Sequence, residues 1–409
     1  MKILILGLNY APEKVGIAVY TTGMAEALVE KGHDVRVVAG RPYYPGWKIM
    51  DGHTGWTYKK STENGVKVTR CPHYVPKNPS GLKRILHHFS FRIWSFFPML
   101  KAALFWKPDI VLAVAPSLIA APVATFVAKL CGAKTWLHVQ DFEVEAAFAT
   151  GLLKGESSIG RLARGFENKA IQNFDKVSSI SPQMCAKLIK EKGVPEDAVY
   201  EFRNWADVDV IKPLDRPSKY REEWNITTEH VALYSGNIAN KQGIKIIVQA
   251  AKQLAHRKDL TFVICGEGPN RKNLRQAAEG LDNIKFFDLQ PKENLNELMN
   301  LATIHMLPQI KGAADLVLPS KLTNMLASGR PVVATTMGNT GLANEIFKCG
   351  IITEPENVAE FVVALEQLLN DKIQYADFAK SARLRAEETW SGSAILNAFE
   401  CKLSLRHRE

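Results

Sequence analysis

Two lysines of this chain stand where predicted strands pass into helices, a position from which a side chain can bind phosphate. Lys321 follows Ser320 at the expected start of a helix, so free backbone N–H groups, the positive helix end and an ammonium can converge on an anion. Lys241 occupies a second turn of this kind. Taken alone, Lys321 could equally be a solvated lysine in the helical connection between two strands of an ordinary α/β protein. The second turn favours a site for a diphosphate-bearing ligand, because ligands of parallel sheets bind beyond the carboxyl ends of strands.

The elements that position these turns alternate between strand and helix in two series. The strands predicted in the first series are Lys2–Leu8, Asp34–Ala39, Val66–Cys71, Asp109–Ala113, Lys134–Val139, Lys176–Ile180 and Val199–Phe202. Those of the second series are His230–Ser235, Leu260–Cys265, Ile284–Leu289, Ile304–Leu307, Pro331–Thr335 and Gly350–Thr353. Such alternation predicts α/β domains with doubly wound parallel sheets. We expect Rossmann-like domains at 1–204 and 205–375 with a ligand cleft between them, and a helix at 376–409 that packs back on the first domain.

The composition fits a large enzyme of the cytoplasm. The 409 residues exceed one domain, and 46% of them are hydrophobic. No secretory signal is visible, and the longest later apolar stretch, Leu118–Cys131, is too short to span a bilayer. Six cysteines without a CxxC pair support neither a disulfide framework nor a zinc site. The net charge of +10 suits an anionic partner such as a nucleotide, a membrane surface or a nucleic acid.

The first turn of the chain argues against a dinucleotide-dependent dehydrogenase. The segment Gly7–Gly16 lacks the GxGxxG spacing that lets a pyrophosphate approach the backbone, and Pro12 makes the loop longer and stiffer. Gly16 could still bring an anionic or sugar group close to the N-terminus of the next helix. An ordinary turn glycine explains this position equally well.

Five segments of the chain share their motifs with one enzyme family. They are the Gly16 loop, Ser235–Gly243, Gly266–Pro269, Pro319–Asn324 and Ala327–Val332. Over nearly the whole chain they resemble the retaining glycosyltransferases of family 4. The resemblance implies the GT-B fold, in which a first Rossmann-like domain binds the acceptor and a second binds the nucleotide-sugar donor. The donor-binding residues that it implies are Gly16, Asn237, Lys241, Gly266, Glu267, Ser320, Lys321, Leu322 and Asn324.

The chain departs from that family where charged residues are usual. Asn324 stands in place of a glutamate, and Leu316 occupies the position of its partner glutamate. Asn237 replaces a common arginine. A neutral amide bonds a ribose hydroxyl more weakly than a carboxylate does, so Lys241 and Lys321 would carry most of the diphosphate charge. Because Asn324 replaces a glutamate, a second alternative is that this chain is a non-catalytic member of the family.

The resemblance further implies a front-face reaction in which the leaving phosphate takes the acceptor proton. No metal or cofactor is required. Asp207-Val-Asp209 formally resembles a DxD metal motif, but Asn204-Trp-Ala-Asp207 matches the inter-domain loop of the family. The catalytic candidates are His138, Asp141 and Lys241. We expect His138, at the end of a hydrophobic strand, to contact the donor sugar or the acceptor, with a core histidine as the alternative. Asp141 would orient the acceptor hydroxyl or cap a helix.

Within the family, four segments resemble the glycosyltransferases of colanic acid biosynthesis. They are Pro42–Pro45, Cys71–Lys77, His138–Asp141 and Gly312–Asn324. This resemblance implies transfer of L-fucose from GDP-fucose to an undecaprenyl-diphosphate-linked glucose. A UDP-N-acetylhexosamine donor in O-antigen or capsule synthesis is the alternative, since a related branch also uses the Pro-Ser-Lys motif.

A basic, aromatic helix is predicted to begin near Leu82. Its apolar residues have helical spacing and are Leu82, Ile85, Leu86, Phe89, Ile93, Phe96, Phe97 and Leu100. The opposite face would carry Lys83, Arg84, His87, His88 and Arg92, with Trp94 near the boundary. Such a helix suits the surface of an anionic bilayer, and a core-packing helix with a solvated basic face is the alternative. We expect a protein peripheral to the inner face of the plasma membrane that binds no nucleic acid, because no nucleic-acid motif is recognisable.

Overall fold

The computed structural model describes residues 1–14, 16–143, 158–238, 242–311, 319 and 321–405. The chain forms two compact units. Unit 1 consists of Met1–Arg203 with Leu396–Glu409, and unit 2 consists of Asn204–Ile395. Each unit is an α/β structure on its own sheet, as the alternating pattern predicts.

Unit 1 is built on eight strands. They are β1 (Lys2–Gly7), β2 (Asp34–Gly40), β3 (Lys59–Glu63), β4 (Val66–Cys71), β5 (Ile110–Ala115), β6 (Lys134–Val139), β7 (Lys176–Ser179) and β8 (Val199–Glu201), in the order β3-β4-β2-β1-β5-β6-β7-β8. Its described helices before unit 2 are α1 (Ile17–Glu30), α2 (Gly81–Phe105), α3 (Ala121–Cys131), α4 (Ser158–Gln172) and α5 (Pro182–Lys190). Strand β3, which the sequence analysis missed, is an antiparallel edge strand without an apolar residue.

Unit 2 is built on six parallel strands. They are β9 (His230–Ser235), β10 (Leu260–Cys265), β11 (Ile284–Phe287), β12 (Ile304–Leu307), β13 (Val332–Thr335) and β14 (Gly350–Thr353), in the order β11-β10-β9-β12-β13-β14. The later described helices are α6 (Tyr220–Glu223), α7 (Lys245–Gln253), α8 (Arg271–Ala277), α9 (Leu295–Leu301), α10 (Lys321–Ala327), α11 (Gly341–Ile346), α12 (Val358–Asn370), α13 (Lys372–Thr389) and α14 (Gly392–Leu405). Val231 and Leu233 of β9 enter one core, and Ala232 and Tyr234 enter the other, so both faces of the sheet are covered.

The last two helices differ from the predicted division of the chain. Helix α13 packs on α10 and α12, with Ala382 and Ala386 buried in unit 2. In α14 the ring of Phe399 stacks on Phe202 of unit 1 with centroids 3.9 Å apart. The segment 376–391, which we expected on the first domain, therefore lies in unit 2, because its small residues pack against α10.

Candidate active site

The carboxyl edge of the unit 2 sheet carries two loops that contact each other backbone to backbone. Gly236 follows β9 and Gly266 follows β10, and the Gly236 amide donates to the Cys265 carbonyl at 2.9 Å. A Cβ atom on Gly266 would lie 1.9 Å from the Gly236 oxygen, and one on Gly268 would lie 2.4 Å from the Ile238 oxygen. Only glycine fits at both positions. Gly266 therefore shapes the predicted donor site through the packing of its loop.

Lys321 begins α10 and extends over the loop that follows β9. Its Nζ lies 4.0 Å from the centroid of the Tyr234 ring and would lie 3.8 Å from a Cβ atom on Gly236. Within the described ranges no carboxylate forms an ion pair with this ammonium. Burial lowers its pKa from 10.5 to about 7. An anion bound at this edge would favour the charged form.

Three further predicted donor residues lie on or close to the same edge of the sheet. Asn237 is exposed, and its backbone carbonyl accepts a hydrogen bond from the Tyr234 hydroxyl at 2.7 Å. Glu267 is exposed and ion-paired with Arg271 at 2.6 Å. Asn324 is partly buried on α10. Asn237 and Glu267 thus remain accessible to a ligand of unit 2.

Leu322 lies on the inward face of α10, and its contact with the donor stays a prediction. Its side chain lies in a hydrophobic core of unit 2, and its amide donates to the Pro319 carbonyl at 2.9 Å. The apolar face of α10 must pack inward, and this excludes Leu322 from the surface. Lys241 and Ser320 lie outside the described residues.

In unit 1, a buried glutamate joins the loops that follow β1 and β2. One carboxylate oxygen of Glu13 accepts the amides of Tyr43 at 2.7 Å and Tyr44 at 2.9 Å, and the other accepts the side-chain amide of Asn9 at 2.9 Å. Burial raises the pKa of Glu13, although these hydrogen bonds oppose the shift. Gly16 lies exposed ahead of α1 with a φ of 65°. Its contact with an anionic or sugar group stays a prediction.

For His138 the structure favours the alternative of a core histidine over a substrate contact. Its side chain is 2% exposed, and Nδ1 is hydrogen-bonded to the Ser178 hydroxyl at 2.9 Å. Its ring packs against Phe202 with centroids 4.9 Å apart, and burial lowers its pKa to about 3. Strand β6 is an inner strand of the sheet, so its polar residue is satisfied by the neighbouring strand. Asp141, two residues beyond β6, is partly buried.

Three histidines and a glutamate of unit 1 form a group that sequence reasoning missed. The rings of His73, beyond β4, and His87, on α2, have centroids 4.9 Å apart. The Nε2 atom of His88 lies 3.8 Å from Oε1 of Glu143, whose other oxygen accepts the Leu118 amide at 3.2 Å. We call these four residues the histidine cluster. The only signal for it in the sequence was Glu143, which follows a buried strand at the carboxyl edge.

Burial keeps the histidine cluster largely uncharged. It lowers the pKa of His73 and of His88 to about 3 and that of His87 to about 4, and it raises the pKa of Glu143 well above its usual value. The Nε2 atoms of His73 and His87 are buried without a partner among the described residues. Neutral imidazole and carboxyl groups both donate and accept hydrogen bonds, so His88 and Glu143, the partly exposed members of the cluster, suit sugar hydroxyls better than phosphate.

Helix α2 presents its apolar residues outward. Its buried face is formed by His87, Phe91, Ser95, Met99, Ala102 and Ala103 and packs on α3, β1, β2 and β4. The large apolar side chains that remain 47% to 81% exposed are Leu82, Ile85, Leu86, Phe89, Ile93, Phe97, Leu104 and Phe105 of α2, with Phe126 and Leu130 of α3. We call these ten residues the apolar stripe. The small residues of the inner face allow close packing. His87 lies on this buried face and not on the basic face, which corrects its predicted placement. The exposure of the apolar residues contradicts the alternative in which they pack into the core.

Positive charge accompanies the apolar stripe. Lys83 and Arg84 are exposed, and Arg92 and Trp94 are partly buried. The Arg84 guanidinium lies 5.3 Å from the centroid of the Trp47 ring. Neither α2 nor α3 contains an acidic residue. The surface therefore combines apolar and cationic groups.

Among the described residues, no helix has the length and apolar character needed to cross a bilayer. No group of three or more His, Cys, Asp and Glu side chains there could hold a metal ion. Asp207 of the predicted loop accepts the Val210 amide at 3.1 Å, as a turn residue does.

Both units match known protein families. Residues 15–205 match the glycosyl transferase 4-like domain, and residues 217–385 match the glycosyl transferases group 1. The chain is 42% identical over 388 residues to the colanic acid biosynthesis glycosyl transferase WcaI of Escherichia coli, covering 90% of this chain and 92% of that protein. It is 20% identical to the N-acetyl-alpha-D-glucosaminyl L-malate synthase of Bacillus anthracis, covering 97% and 95%.

Solved structures share the fold at lower identity. The sucrose-phosphate synthase of Thermosynechococcus elongatus is similar with a TM-score of 0.74, 15% identity and full coverage of both chains. Anabaena HepE in complex with UDP and glucose is similar with a TM-score of 0.70 and 17% identity, covering 99% of each chain. These likenesses confirm the predicted two-domain α/β fold.

Proposed function

Because the chain belongs to the family 4 glycosyltransferases with the GT-B fold, we propose that it transfers L-fucose from GDP-fucose to an undecaprenyl-diphosphate-linked glucose. The product would enter an exopolysaccharide of the colanic acid type. The 42% identity to WcaI, which extends over 90% of this chain, supports this choice of pathway. A second candidate is a UDP-N-acetylhexosamine transferase, favoured by the similarity to the N-acetylglucosaminyl enzyme of Bacillus anthracis.

The observation that carries the proposed chemistry is the ammonium of Lys321. Cleavage of a sugar–phosphate bond builds negative charge on the departing diphosphate. Lys321 offers a positive charge with no described ion-pair partner beside the Gly236 loop, at the edge where sheets of this kind bind ligands. A fixed donor of this kind contributes roughly 2.7–4 kcal/mol to transition-state stabilisation, by analogy with oxyanion-hole deletions. The proposed reaction therefore uses no metal.

The acceptor sugar is proposed to bind beside His88 and Glu143, the two partly exposed members of the histidine cluster, with Glu143 as its positioning residue. Oε1 of Glu143 is buried, lies 3.8 Å from Nε2 of His88 and has no hydrogen-bond partner among the described residues, while the Leu118 amide holds the other oxygen. A small shift of this side chain would let Oε1 accept a hydrogen bond from a sugar hydroxyl. We expect Glu143→Gln to raise the KM for the acceptor at least tenfold and to leave the KM for the donor unchanged. Asp141→Asn, the same carboxylate-to-amide change two residues earlier, is the variant whose acceptor and donor KM values are compared with those of Glu143→Gln. An unchanged acceptor KM in Glu143→Gln would contradict this placement.

The apolar stripe is proposed to rest on the inner membrane surface, where a polyprenyl-linked acceptor resides. Apolar side chains beside cations suit an anionic bilayer, and each basic residue near such a surface contributes about 1 kcal/mol. We expect two triple variants to lose at least tenfold in binding to anionic vesicles. One replaces Phe89, Ile93 and Phe97 with Ser, and the other replaces Lys83, Arg84 and Arg92 with Glu.

The control for vesicle binding is Leu289→Ser, which changes an exposed leucine of unit 2. Its co-sedimentation should equal that of the wild-type protein. High salt should weaken binding of the serine triple variant more than that of the wild type, since only charge attraction remains. Unchanged binding of both triple variants would contradict the proposal. A wild-type dimer that the serine variant converts to a monomer would identify the stripe as a subunit interface instead.

The donor is tested with a panel of radiolabelled GDP- and UDP-sugars and undecaprenyl-diphosphate glucose. We expect product from GDP-fucose, and a rise in melting temperature with GDP but not with UDP, because a ligand of the folded state stabilises it. Product from a UDP-N-acetylhexosamine alone would overturn the fucosyl proposal in favour of the second candidate. Nucleotide binding without product from any donor would indicate a non-catalytic relative.

A further inference from the structure

Unit 2 contains a cavity of about 680 Å³ at the amino ends of its strands. His230 at the start of β9, Thr303 ahead of β12 and Arg330 ahead of β13 line it. The strands are parallel, so this edge is opposite the one that carries Gly236 and Lys321. A cavity of this volume falls within the range of about 300–1,000 Å³ that small-molecule sites occupy.

The lining of this cavity contains cations that lack acidic partners. Arg221 donates to the backbone oxygens of Thr228 at 2.6 Å and Glu229 at 2.8 Å, which leave its charge uncompensated. The Nε atom of Arg330 is buried without an acceptor, and its Nη1 lies 3.5 Å from the Tyr375 hydroxyl. Among residues 204–238, 242–311, 319 and 321–395, no carboxylate forms an ion pair with either arginine. Burial and the charge of Arg330 both lower the pKa of Arg221.

The other lining residues leave this positive charge in excess. Lys372 adds a further cation, and Arg216 is paired with Glu297, which does not line the cavity. The acidic lining residues are Asp215, which is exposed, and Glu229, whose carboxylate lies 3.7 Å from His230. The apolar wall is formed by Leu214, Pro217, Leu301, Leu368 and Leu369.

We infer that this cavity binds a soluble phosphate ester, with the phosphate held by Arg221 and Arg330 and the organic part placed against the leucines. Guanidinium groups match phosphate geometry and form strong charge-assisted hydrogen bonds with it. A bound phosphate would supply acceptors for Arg330 and relieve the repulsion between the two arginines. The site is separate from the donor site and does not depend on the proposed donor or acceptor.

The test uses the full chain with Lys321→Met, which weakens phosphate binding at the donor edge. Calorimetric titrations with inorganic phosphate, a hexose 1-phosphate and AMP should each show binding. Adding Arg221→Gln with Arg330→Gln should weaken that binding at least tenfold, and Lys372→Gln should weaken it about threefold, as loss of a more distant cation would. The matched control is Lys272→Gln, an exposed lysine of α8 that does not line the cavity.

Melting temperatures separate a binding role of the two arginines from a purely structural one, because a structural role predicts that each substitution lowers the melting temperature of the free protein. If the cavity binds phosphate, Arg330→Gln should leave the melting temperature of the free protein unchanged or higher, because it removes one of two repelling cations and only a 3.5 Å contact to Tyr375, and phosphate should no longer raise that temperature. If the double variant is unstable, two single variants test phosphate binding in its place. They are Lys372→Gln and the conservative Arg330→Lys. Arg330→Lys keeps the charge and should keep the affinity for phosphate within about threefold of the wild-type value. Equal binding by the arginine and control variants would overturn the inference. Binding only to vesicles that contain phosphatidic acid would also overturn it.

Discussion

We expect nucleotide binding to weaken as Lys321 loses its proton between pH 7 and pH 9. In the free protein, burial holds the pKa of this lysine at about 7 instead of 10.5. At about 1.36 kcal/mol per pKa unit, this shift means that burying the charged form costs about 4 to 5 kcal/mol. An anion bound beside the ammonium recovers part of that free energy, so the protonated protein binds it more tightly.

The size of the effect follows from the protonated fraction of Lys321. With a pKa of about 7, about half of the molecules carry the charge at pH 7 and about 1% carry it at pH 9. The dissociation constant for GDP should therefore rise by up to about 50-fold across this range. The terminal phosphate of GDP titrates near pH 6 and contributes little above pH 7. Calorimetry at pH 7, 8 and 9, in buffers of different ionisation enthalpy, measures both the affinity and the proton uptake.

Two substitutions separate Lys321 from other titrating groups. Lys321→Arg keeps its charge at every pH tested and should bind GDP with a nearly flat profile, whereas Lys321→Met should bind weakly with a flat profile. Without ligand, the methionine variant should be more stable than wild type below pH 7, where Lys321 is mostly protonated and the folded protein bears the cost of holding its charge. That difference should shrink as the pH rises towards 10.5. A flat wild-type profile, or an equal decline in Lys321→Met, would refute the reasoning.

Three other predictions concern the framework of the two units. Gly266→Ala should lower the melting temperature and abolish nucleotide binding, because its Cβ would meet the Gly236 oxygen at 1.9 Å; Gly338→Ala, where a Cβ meets nothing within 4 Å, should change neither. Burial lowers the pKa of His87 from 6.5 to about 4, so this histidine should contribute up to about 3 kcal/mol to the fall in wild-type stability as the pH drops from 6.5 to 4, and urea titrations of His87→Gln should show a shallower fall. Phe399→Ala should destabilise unit 1 by about 3–5 kcal/mol, and hydrogen exchange should show faster opening of β6 but not of β9.

The strands that could be predicted all carry apolar residues, including the edge strands β8, β11 and β14. Strands such as β5 and β10 consist of nearly continuous apolar residues, because helices cover a parallel sheet on both sides. Strand β3 has the sequence Lys-Lys-Ser-Thr-Glu and lies at the edge, where pairing with β4 holds it without any apolar signal. Sequence therefore predicted the order of the inner elements and missed an edge that depends on a neighbour.

The candidate site was predicted where local geometry decides and missed where distant segments meet. Gly236 and Gly266 each come directly after a predicted strand, so the sequence alone indicated that their loops lie at the carboxyl edge of the sheet. For His138 the structure favours the core-histidine alternative, because a hydrogen bond to Ser178, 40 residues away, holds it in the core. Glu143 and His88 come from different elements, and no spacing along the chain indicates that they approach each other.

Helix α2 connects the proposed membrane contact with the proposed acceptor site. Periodicity identified a helix with one apolar face, but it could not show that the opposite face would be buried as well. Ser95, Ala102 and Ala103 allow that face to pack against unit 1, and His87 is then buried on the same side. A helix with one face in the bilayer surface and the other in the protein holds its histidines at a fixed depth below the lipid. For an acceptor sugar carried on a polyprenyl diphosphate, that distance decides whether its hydroxyl reaches Glu143, so changes in the apolar stripe should affect the KM of lipid-linked acceptors and spare that of water-soluble ones.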